Sequence, residues 1–307
     1  MYKSSSDVTY NKYKLIIFGG KGGVGKTTSA AATALHYASL GIRTLIISTD
    51  ATPSLSHIFE IKRNKRYSNV RDNLELNELG LEEVREMWNK KFGREVYEVF
   101  SSFVSIGYEE FSKYMTALLP GLSDEFMVDF IRELGDKGTY DLIIWDTAPL
   151  GQTLALLQTP AMLREHMKIA PRIYSRLKLG QKSKEPILGI IRRWERLSAD
   201  NIDFLQNNIR FIMVTIPEAL AVEQLQGAIR ELKNYGINVQ QIIINNVIKA
   251  EDSDFLFTKS RHQKNYIKTI YSKFSELQIV EIPMFPYEIK GLDRLKETAE
   301  VLFEAPN

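Results

Sequence analysis

Residues 20–28 read Gly20-Lys21-Gly22-Gly23-Val24-Gly25-Lys26-Thr27-Thr28. The stretch fits the phosphate-loop pattern G-x-x-x-x-G-K-[ST] and lies between an apolar run at residues 15–18 and an alanine-rich run at residues 29–38. Glycines at these positions let backbone N–H groups curve around phosphates at the positive end of the following helix. The sequence therefore predicts a strand, a phosphate-binding loop and a helix, which is how an α/β P-loop NTPase begins.

Three side chains of this loop carry the predicted chemistry. Lys26 is expected to contact the β and γ phosphates of ATP, and the Thr27 hydroxyl is expected to ligate Mg²⁺. Lys21 is a second lysine that a single-site NTPase does not need. Such a lysine is typical of the deviant Walker A class, in which it reaches the phosphates bound by a partner subunit. The alternative for Lys21 is a solvated loop residue.

Two acidic residues come at the ends of predicted strands. Asp50 ends the run RTLIISTD, and Asp146 ends the run YDLIIWD. Because ligands bind at the carboxyl ends of strands in open α/β sheets, both carboxylates are expected near the phosphate loop. Asp50 and Asp146 then complete a Mg²⁺ site with Thr27, partly through water, and Asp50 orients or deprotonates the attacking water. A helix cap or a turn is the alternative for either Asp taken alone.

Five short runs rich in β-forming residues are separated by stretches with helical patterns. They span residues 14–19, 43–49, 140–146, 210–216 and 241–247. Strands that alternate with helices predict a mostly parallel sheet flanked by helices on both faces. Two connections, residues 60–137 and 154–209, are far longer than a crossover needs, and their patterns are mostly helical.

These lengths divide the chain into a core and an inserted α-helical subdomain. The predicted ATPase core comprises residues 14–59, 138–158 and 208–304. The predicted helical subdomain comprises residues 60–137 and 159–207, and residues 1–13 are predicted to be a loose tail.

The composition excludes several classes of site. The 307 residues include no cysteine, which removes disulfides, thiolate metal sites, iron–sulfur clusters and a cysteine nucleophile. The net charge of +2 argues neither for nor against nucleic acid, and no nucleic-acid partner is expected. Apolar runs are far shorter than the roughly 20 residues of a membrane span, and the N-terminus has no apolar signal stretch. A cytoplasmic location is therefore predicted.

The chain resembles the ArsA/GET family, which comprises arsenite-pump ATPases and targeting factors for tail-anchored membrane proteins. Ser48-Thr49-Asp50 with Ser54-Leu55-Ser56 is similar to the family's switch I, and Asp146-Thr147-Ala148-Pro149 is similar to its switch II. The likeness extends over nearly the whole chain. Later matching segments are Ile216-Pro217-Glu218, Tyr235-Gly236-Ile237, Ile243-Ile244-Asn245 and residues 283–292.

The resemblance implies a SIMIBI-type, deviant Walker A ATPase that uses ATP and Mg²⁺ and works as a homodimer. It also implies that Asn245 reads the adenine edge and that Pro283 and Phe285 lie in a loop over the base. Leu150, Gln152 and Ala155 depart from the family's usual switch II residues. The family's Cys-x-x-Cys zinc clasp is missing, since residues 257–261 read FTKSR, so no zinc is expected.

Residues 119–125, LPGLSDE, are similar to a segment that opens a client-binding helix in the targeting branch. The resemblance implies transmembrane segments of client proteins and a membrane receptor as partners. The predicted client contacts are Met115, Leu118, Leu119, Met127, Met162, Met167, Ile191 and Trp194. The alternative is that these residues fill a helical core. The basic, amphipathic residues 168–196 are a lid, a membrane contact or a plain surface helix.

Three functions compete at this point. The first is an ATPase that binds transmembrane segments of tail-anchored proteins in its ATP-closed dimer and releases them on hydrolysis. The second is an arsenite or antimonite pump motor, which is weaker because that branch binds the metalloid through cysteine thiolates. The third is a ParA/MinD-like positioning ATPase, a smaller class of protein that lacks large helical insertions.

Overall fold

The computed structural model describes residues 13–49, 54–62, 67–101, 107–111, 120–148 and 181–303, with parts of the segment 151–169. The described residues form two compact units. The first unit comprises those of Met1–Leu79, Leu134–Leu154 and Asn208–Asn307, and the second comprises those of Gly80–Glu133 and Ala155–Asn207. The predicted tail lies almost entirely outside the described residues.

The first unit contains an eight-stranded sheet within the described ranges. Its strands are β1 Leu15–Gly19, β2 Thr44–Ser48, β3 Ser68–Arg71, β4 Leu74–Glu78, β5 Leu142–Asp146, β6 Ile209–Thr215, β7 Val239–Val247 and β8 Gln278–Pro283. Their order is β3-β4-β2-β5-β1-β6-β7-β8, and only the β3–β4 pair is antiparallel. The predicted α/β fold with a mostly parallel sheet is confirmed.

Helices occupy most of the remaining described chain. In chain order they are α1 Lys26–Ser39, α2 Leu55–Ile58, α3 Leu81–Trp88, a π-helix Asn89–Gly93, α4 Arg94–Ser101, α5 Pro120–Asp136, α6 Gln181–Asn207, α7 Ala219–Asn234, α8 Asp254–Lys273 and α9 Gly291–Phe303. The described residues between 151 and 169 are also helical. No helix of the described chain is both long and apolar enough to cross a bilayer.

The sequence pattern places residues 60–79 in the helical subdomain, and the structure corrects this. Residues 68–78 form β3 and β4, and β4 pairs in parallel with β2 from Thr44↔Leu74 to Ser48↔Glu78. β3 is a short and largely polar strand at the edge of the sheet, and β4, which lies between β3 and β2, has only two apolar residues among its five. β8, at the opposite edge, was also not among the five predicted runs.

The helix that follows the phosphate loop is fixed by close packing. Ala30, Ala31 and Ala34 of α1 are fully buried, because small side chains let the helix approach the sheet closely. At the other end of α1, the His36 ring stacks on Phe303 of α9 with a centroid distance of 3.8 Å. The N-terminus of α1 is therefore held at the carboxyl edge of β1.

The second unit has a polar as well as an apolar interior. The Asp129 carboxylate of α5 is fully buried and pairs with Lys91 of the π-helix and with Arg132, the latter at 2.9 Å. Arg132 Nε also donates to Asn201 Oδ1 of α6 at 2.8 Å. A buried carboxylate with two cationic partners and further hydrogen bonds is satisfied, so this network fixes three helical segments against one another.

Candidate functional site

The phosphate loop has a backbone that requires glycine at two positions. Gly25, which precedes α1, has φ +96°, and a Cβ at this residue would lie 2.1 Å from Nδ2 of Asn245. A Cβ at Gly20 would lie 2.3 Å from the carbonyl oxygen of Val214 in β6. Glycine alone avoids both clashes. The loop is therefore shaped by β6 and β7 as well as by its own sequence.

Lys26, the first residue of α1, is held inside this loop. Its side chain is 7% exposed, and its Nζ donates to the carbonyl oxygen of Lys21 at 3.2 Å. The N-terminus of a helix and a lysine side chain both attract negative charge, so the position favours an anionic ligand in the loop. Lys21 itself, with Gly22 and Gly23, is exposed, whereas Val24 is buried and Thr28 is half-buried.

Thr27 and Asp146, which come from the two predicted motifs, are in contact at the edge of the sheet. Thr27 Oγ1 donates to Asp146 Oδ2 at 2.8 Å, and Asp146 is 1% exposed at the end of β5. Since β5 pairs with β1 in the register Phe18↔Asp146, the carboxylate lies beside the start of the phosphate loop. Thr147 Oγ1 also donates to the Phe18 carbonyl oxygen at 2.7 Å, which fixes the exit from β5.

The chemistry of this donor set fits Mg²⁺. A hydroxyl and a carboxylate are hard oxygen ligands, and Mg²⁺ takes few of them while it keeps waters and binds substrate phosphates. Among the described residues, no cluster of three or more His, Cys, Asp and Glu residues is suited to a metal ion. Of the three predicted Mg²⁺ ligands, Thr27 and Asp146 are hydrogen-bonded to each other, and Asp50 lies outside the described residues.

Thr49, the residue before Asp50, is held by two hydrogen bonds to the end of β5. The Thr49 hydroxyl accepts a hydrogen bond of 3.1 Å from Trp145 Nε1, and Thr49 N donates to the Asp146 carbonyl oxygen at 3.4 Å. The chain therefore leaves β2 while bonded to the end of β5. The role of Asp50 itself stays a prediction.

Asn245 contacts the phosphate loop, and the sequence around Asn245 did not predict this contact. It is buried near the end of β7, and its Nδ2 donates to the Val24 carbonyl oxygen at 2.9 Å. Pro283 ends β8 in register with Val247, and Phe285 stacks on Tyr287 with a centroid distance of 5.5 Å. The adenine contacts assigned to Asn245, Pro283 and Phe285 stay predictions.

We expect Asn245→Asp to weaken the affinity for ATP about tenfold or more, since an unmade buried hydrogen bond costs roughly 1–3 kcal/mol. The substitution keeps the size of the side chain but turns an acceptor oxygen toward the Val24 carbonyl. Equilibrium titration with ATP under non-turnover conditions measures the effect. The control is Asn246→Asp, which introduces the same charge at the exposed neighbour. Equal losses in both variants would contradict a specific role for the Asn245 amide.

The predicted client contacts fall into three groups in the second unit. Met127 of α5 and Ile191 of α6 are buried, and Trp194 is half-buried with its Nε1 donating to Glu95 Oε2 at 3.1 Å. Met162 is 56% exposed. The remaining four lie outside the described residues: Met115, Leu118, Leu119 and Met167. Among the described residues predicted as client contacts, Met162 is therefore exposed, whereas Met127 and Ile191 are buried.

One buried acidic residue near the site was not predicted from the sequence. Glu78, the last residue of β4, accepts hydrogen bonds from two backbone N–H groups of α2, which follows the segment of Asp50. The available signal was the alternating run Leu74–Glu78 with a final carboxylate, which places an acid at the carboxyl edge of the sheet in the same way as Asp146.

The chain is similar to known proteins over most of its length. Residues 13–304 match the family described as anion-transporting ATPase. The chain is 30% identical to putative arsenical pump-driving ATPase 2 of Aquifex aeolicus, over 94% of this chain and 99% of that protein. It is 27% identical to ATPase GET3 of Pyricularia oryzae, over 94% and 89% of the two chains. It is 26% identical to ATPase ASNA1 homolog 1 of Paramecium tetraurelia, over 95% and 92%.

Proposed function

Since the chain belongs to the anion-transporting ATPase family, and is therefore an ATPase, we propose that it is a cytoplasmic targeting factor for tail-anchored membrane proteins. In this proposal a homodimer with bound ATP and Mg²⁺ holds the transmembrane segment of a client and releases it after hydrolysis. The observation that carries the ATPase part is the 2.8 Å contact between Thr27 and Asp146 beside a loop that encloses Lys26.

The loop backbone and four side chains have separate roles in the proposed hydrolysis. Backbone N–H groups of the loop bind the phosphates, and Lys26 offsets the charge of the β and γ groups. Thr27 and Asp146 would hold Mg²⁺, which neutralises charge on the phosphate oxygens when it is bound. Asp50 orients the attacking water and accepts its proton, so that ATP and water yield ADP and phosphate.

The exposure of Lys21 supports the proposal that the protein works as a homodimer. Its side chain is exposed, while its carbonyl oxygen accepts the hydrogen bond from Lys26. A lysine that is close to the phosphates and exposed is suited to a triphosphate held by a second subunit. ATP then acts by favouring the dimer in which both lysines meet γ-phosphates.

The exposed apolar side chains of the second unit support a client. Among its described residues, the large exposed apolar ones are Met162 and Ile169, which lie on helical segments two turns apart. Methionine adapts its shape to different apolar partners, which suits a surface that must accept varied transmembrane segments. We place Met162 at this surface and assign Met127 and Ile191 to the supporting core.

The test is capture of a carrier protein that ends in an apolar helix of about 20 residues. We expect the Asp50→Asn variant, loaded with ATP and Mg²⁺, to retain this client through affinity purification. Adding Met162→Asp should lower the captured amount several-fold, because it buries a charge against the client. The control is Leu40→Asp, since Leu40 is 51% exposed in the first unit. No capture by Asp50→Asn, or equal losses with both added substitutions, would reject the proposal.

The second candidate is a motor for an arsenite or antimonite pump. It is favoured by the name of the relative from Aquifex aeolicus, putative arsenical pump-driving ATPase 2. It is disfavoured because the 307 residues contain no cysteine, the residue whose soft thiolate suits a soft metalloid. Stimulation of ATP turnover by arsenite would support this candidate, and turnover that is the same with and without arsenite would leave the targeting role.

A further inference from the structure

Strand β7 contains a β-bulge near its carboxyl end. Ile244 of β7 is opposite Glu281 of β8. The next pair in the register is Val247 with Pro283, so three steps along β7 match two steps along β8. The extra residue therefore falls within residues 245–246. A bulge changes the direction in which the neighbouring side chains point, and bulges are common next to active sites.

Asn246, within this bulge, has a left-handed backbone conformation with φ +58°. Residues other than glycine seldom adopt a positive φ, although asparagine tolerates it better than most. Such a conformation persists where the surrounding structure holds it in place. The shape of the bulge therefore depends on contacts from outside β7.

Gln263 of α8 supplies two such contacts. Its Nε2 donates to the Asn246 carbonyl oxygen at 3.0 Å, and its Oε1 accepts a hydrogen bond of 2.8 Å from Ile248 N. One side-chain amide thus uses both its donor and its acceptor, and it binds the backbone on both sides of Val247. Gln263 therefore holds the bulge against α8.

The residue before Asn246 contacts the phosphate loop. Asn245 is 7% exposed, and its Nδ2 donates to the Val24 carbonyl oxygen at 2.9 Å. The same Nδ2 lies only 2.1 Å from the position that a Cβ at Gly25 would take. Because the Asn245 amide fits so closely against the loop, a shift of the bulge would lengthen or break its hydrogen bond to Val24.

We propose that Gln263 is a positioning residue for nucleotide binding: it holds the bulge of β7 in the conformation in which Asn245 bonds to the phosphate loop. The inference rests on the proposed role of this loop as the phosphate site. Gln263 acts through β7, so its loss weakens the bond between Asn245 and Val24 while every residue of the loop stays in place. The loop is then less well organised before the ligand arrives, which lowers its affinity for nucleotides.

The first test is Gln263→Met, which keeps the length of the side chain and removes both hydrogen bonds. We expect the Kd for ADP and the KM for ATP to rise about three- to tenfold, with kcat changed by less than about twofold. The loss is smaller than in Asn245→Asp because the bond to Val24 is weakened and not removed. Equilibrium titration with ADP and steady-state turnover measure these quantities. The control is Gln224→Met, the same substitution at an exposed residue of α7, which should keep the parental values.

A second pair of variants tests the bulge without any change in α8. Asn246→Val should weaken ADP binding to a similar degree, because a β-branched residue rarely adopts a positive φ. Asn246→Gly should stay within about twofold of the parent, because glycine adopts this conformation readily. Both variants keep Gln263, so their comparison also decides the question if Gln263→Met does not fold, as judged by circular dichroism.

A combined variant separates positioning from a general loss of stability. In an Asn245→Asp background, Gln263→Met should cost less than about twofold further in ADP affinity, because both changes act through the same bond. Parental ADP affinity in Gln263→Met or in Asn246→Val, an equal loss in Gln224→Met, or fully additive effects with Asn245→Asp would each overturn the inference. Failure of the phosphate site itself is recognised separately, since Lys26→Gln would then bind ADP and turn over ATP like the parent.

Discussion

The Lys26→Gln variant is expected to lose at least about a hundredfold in kcat/KM for ATP, the usual effect of removing one preorganised electrostatic contact to the transition state. Lys26 is buried in the phosphate loop, and its Nζ is bonded to the Lys21 carbonyl oxygen. Glutamine retains an N–H donor for that oxygen but carries no charge. The loss therefore reports the missing positive charge at the β and γ phosphates.

The measurement combines steady-state turnover with a titration of ADP affinity. The control is Lys233→Gln, which removes the same charge from an exposed residue in the last turn of α7. It should leave both quantities at the parental values. If Lys26→Gln turned over ATP within tenfold of the parent, the loop would not be the site of hydrolysis, and the assignments of Thr27 and Asp146 would fall with it.

The sequence predicted those parts of the site that are locally determined or follow from a rule of topology. The glycines of residues 20–25 allow the backbone conformation of the loop, and they are recognised from the local sequence alone. Thr27 and Asp146 are 119 positions apart, yet both were expected near the phosphate loop because ligands bind at the carboxyl ends of parallel strands. Those two signals were enough to propose a phosphate site.

Other contacts at the site depend on tertiary packing, and no local pattern predicts them. The hydrogen bond from Asn245 to Val24 and those from Leu55 and Ser56 to Glu78 depend on which strands lie side by side. β3 and β4 were missed because they are short and have few apolar residues, one of four in β3 and two of five in β4. A buried helix face and an open apolar groove have the same spacing of apolar residues, so the sequence left open whether Met127 was core or client contact.

Lys21→Ala is expected to lower kcat by about a thousandfold, similar to the loss of a positive charge that a partner supplies to a phosphoryl transition state. Nucleotide affinity should change only a few-fold. The reason is that Lys26 bonds to the backbone oxygen of Lys21, so the substitution removes the exposed side chain without removing the contact that holds Lys26. Turnover, ADP affinity and molar mass in solution with ATP are measured on the same preparation. A parallel loss of ADP affinity would show that Lys21 serves its own loop.

A mixing experiment decides whether Lys21 acts on its own subunit or on the partner. The two inactive variants Lys21→Ala and Asp50→Asn are mixed without nucleotide to allow exchange of subunits, and ATP is then added. If Lys21 acts across the dimer, a mixed dimer has one site that combines an intact Asp50 with an intact Lys21 from the other chain. In an equal mixture half of the dimers are mixed and one of their two sites works, so about a quarter of the parental turnover should return. If Lys21 acts within its own chain, every site lacks one of the two residues and no turnover returns, which would contradict the proposed dimer.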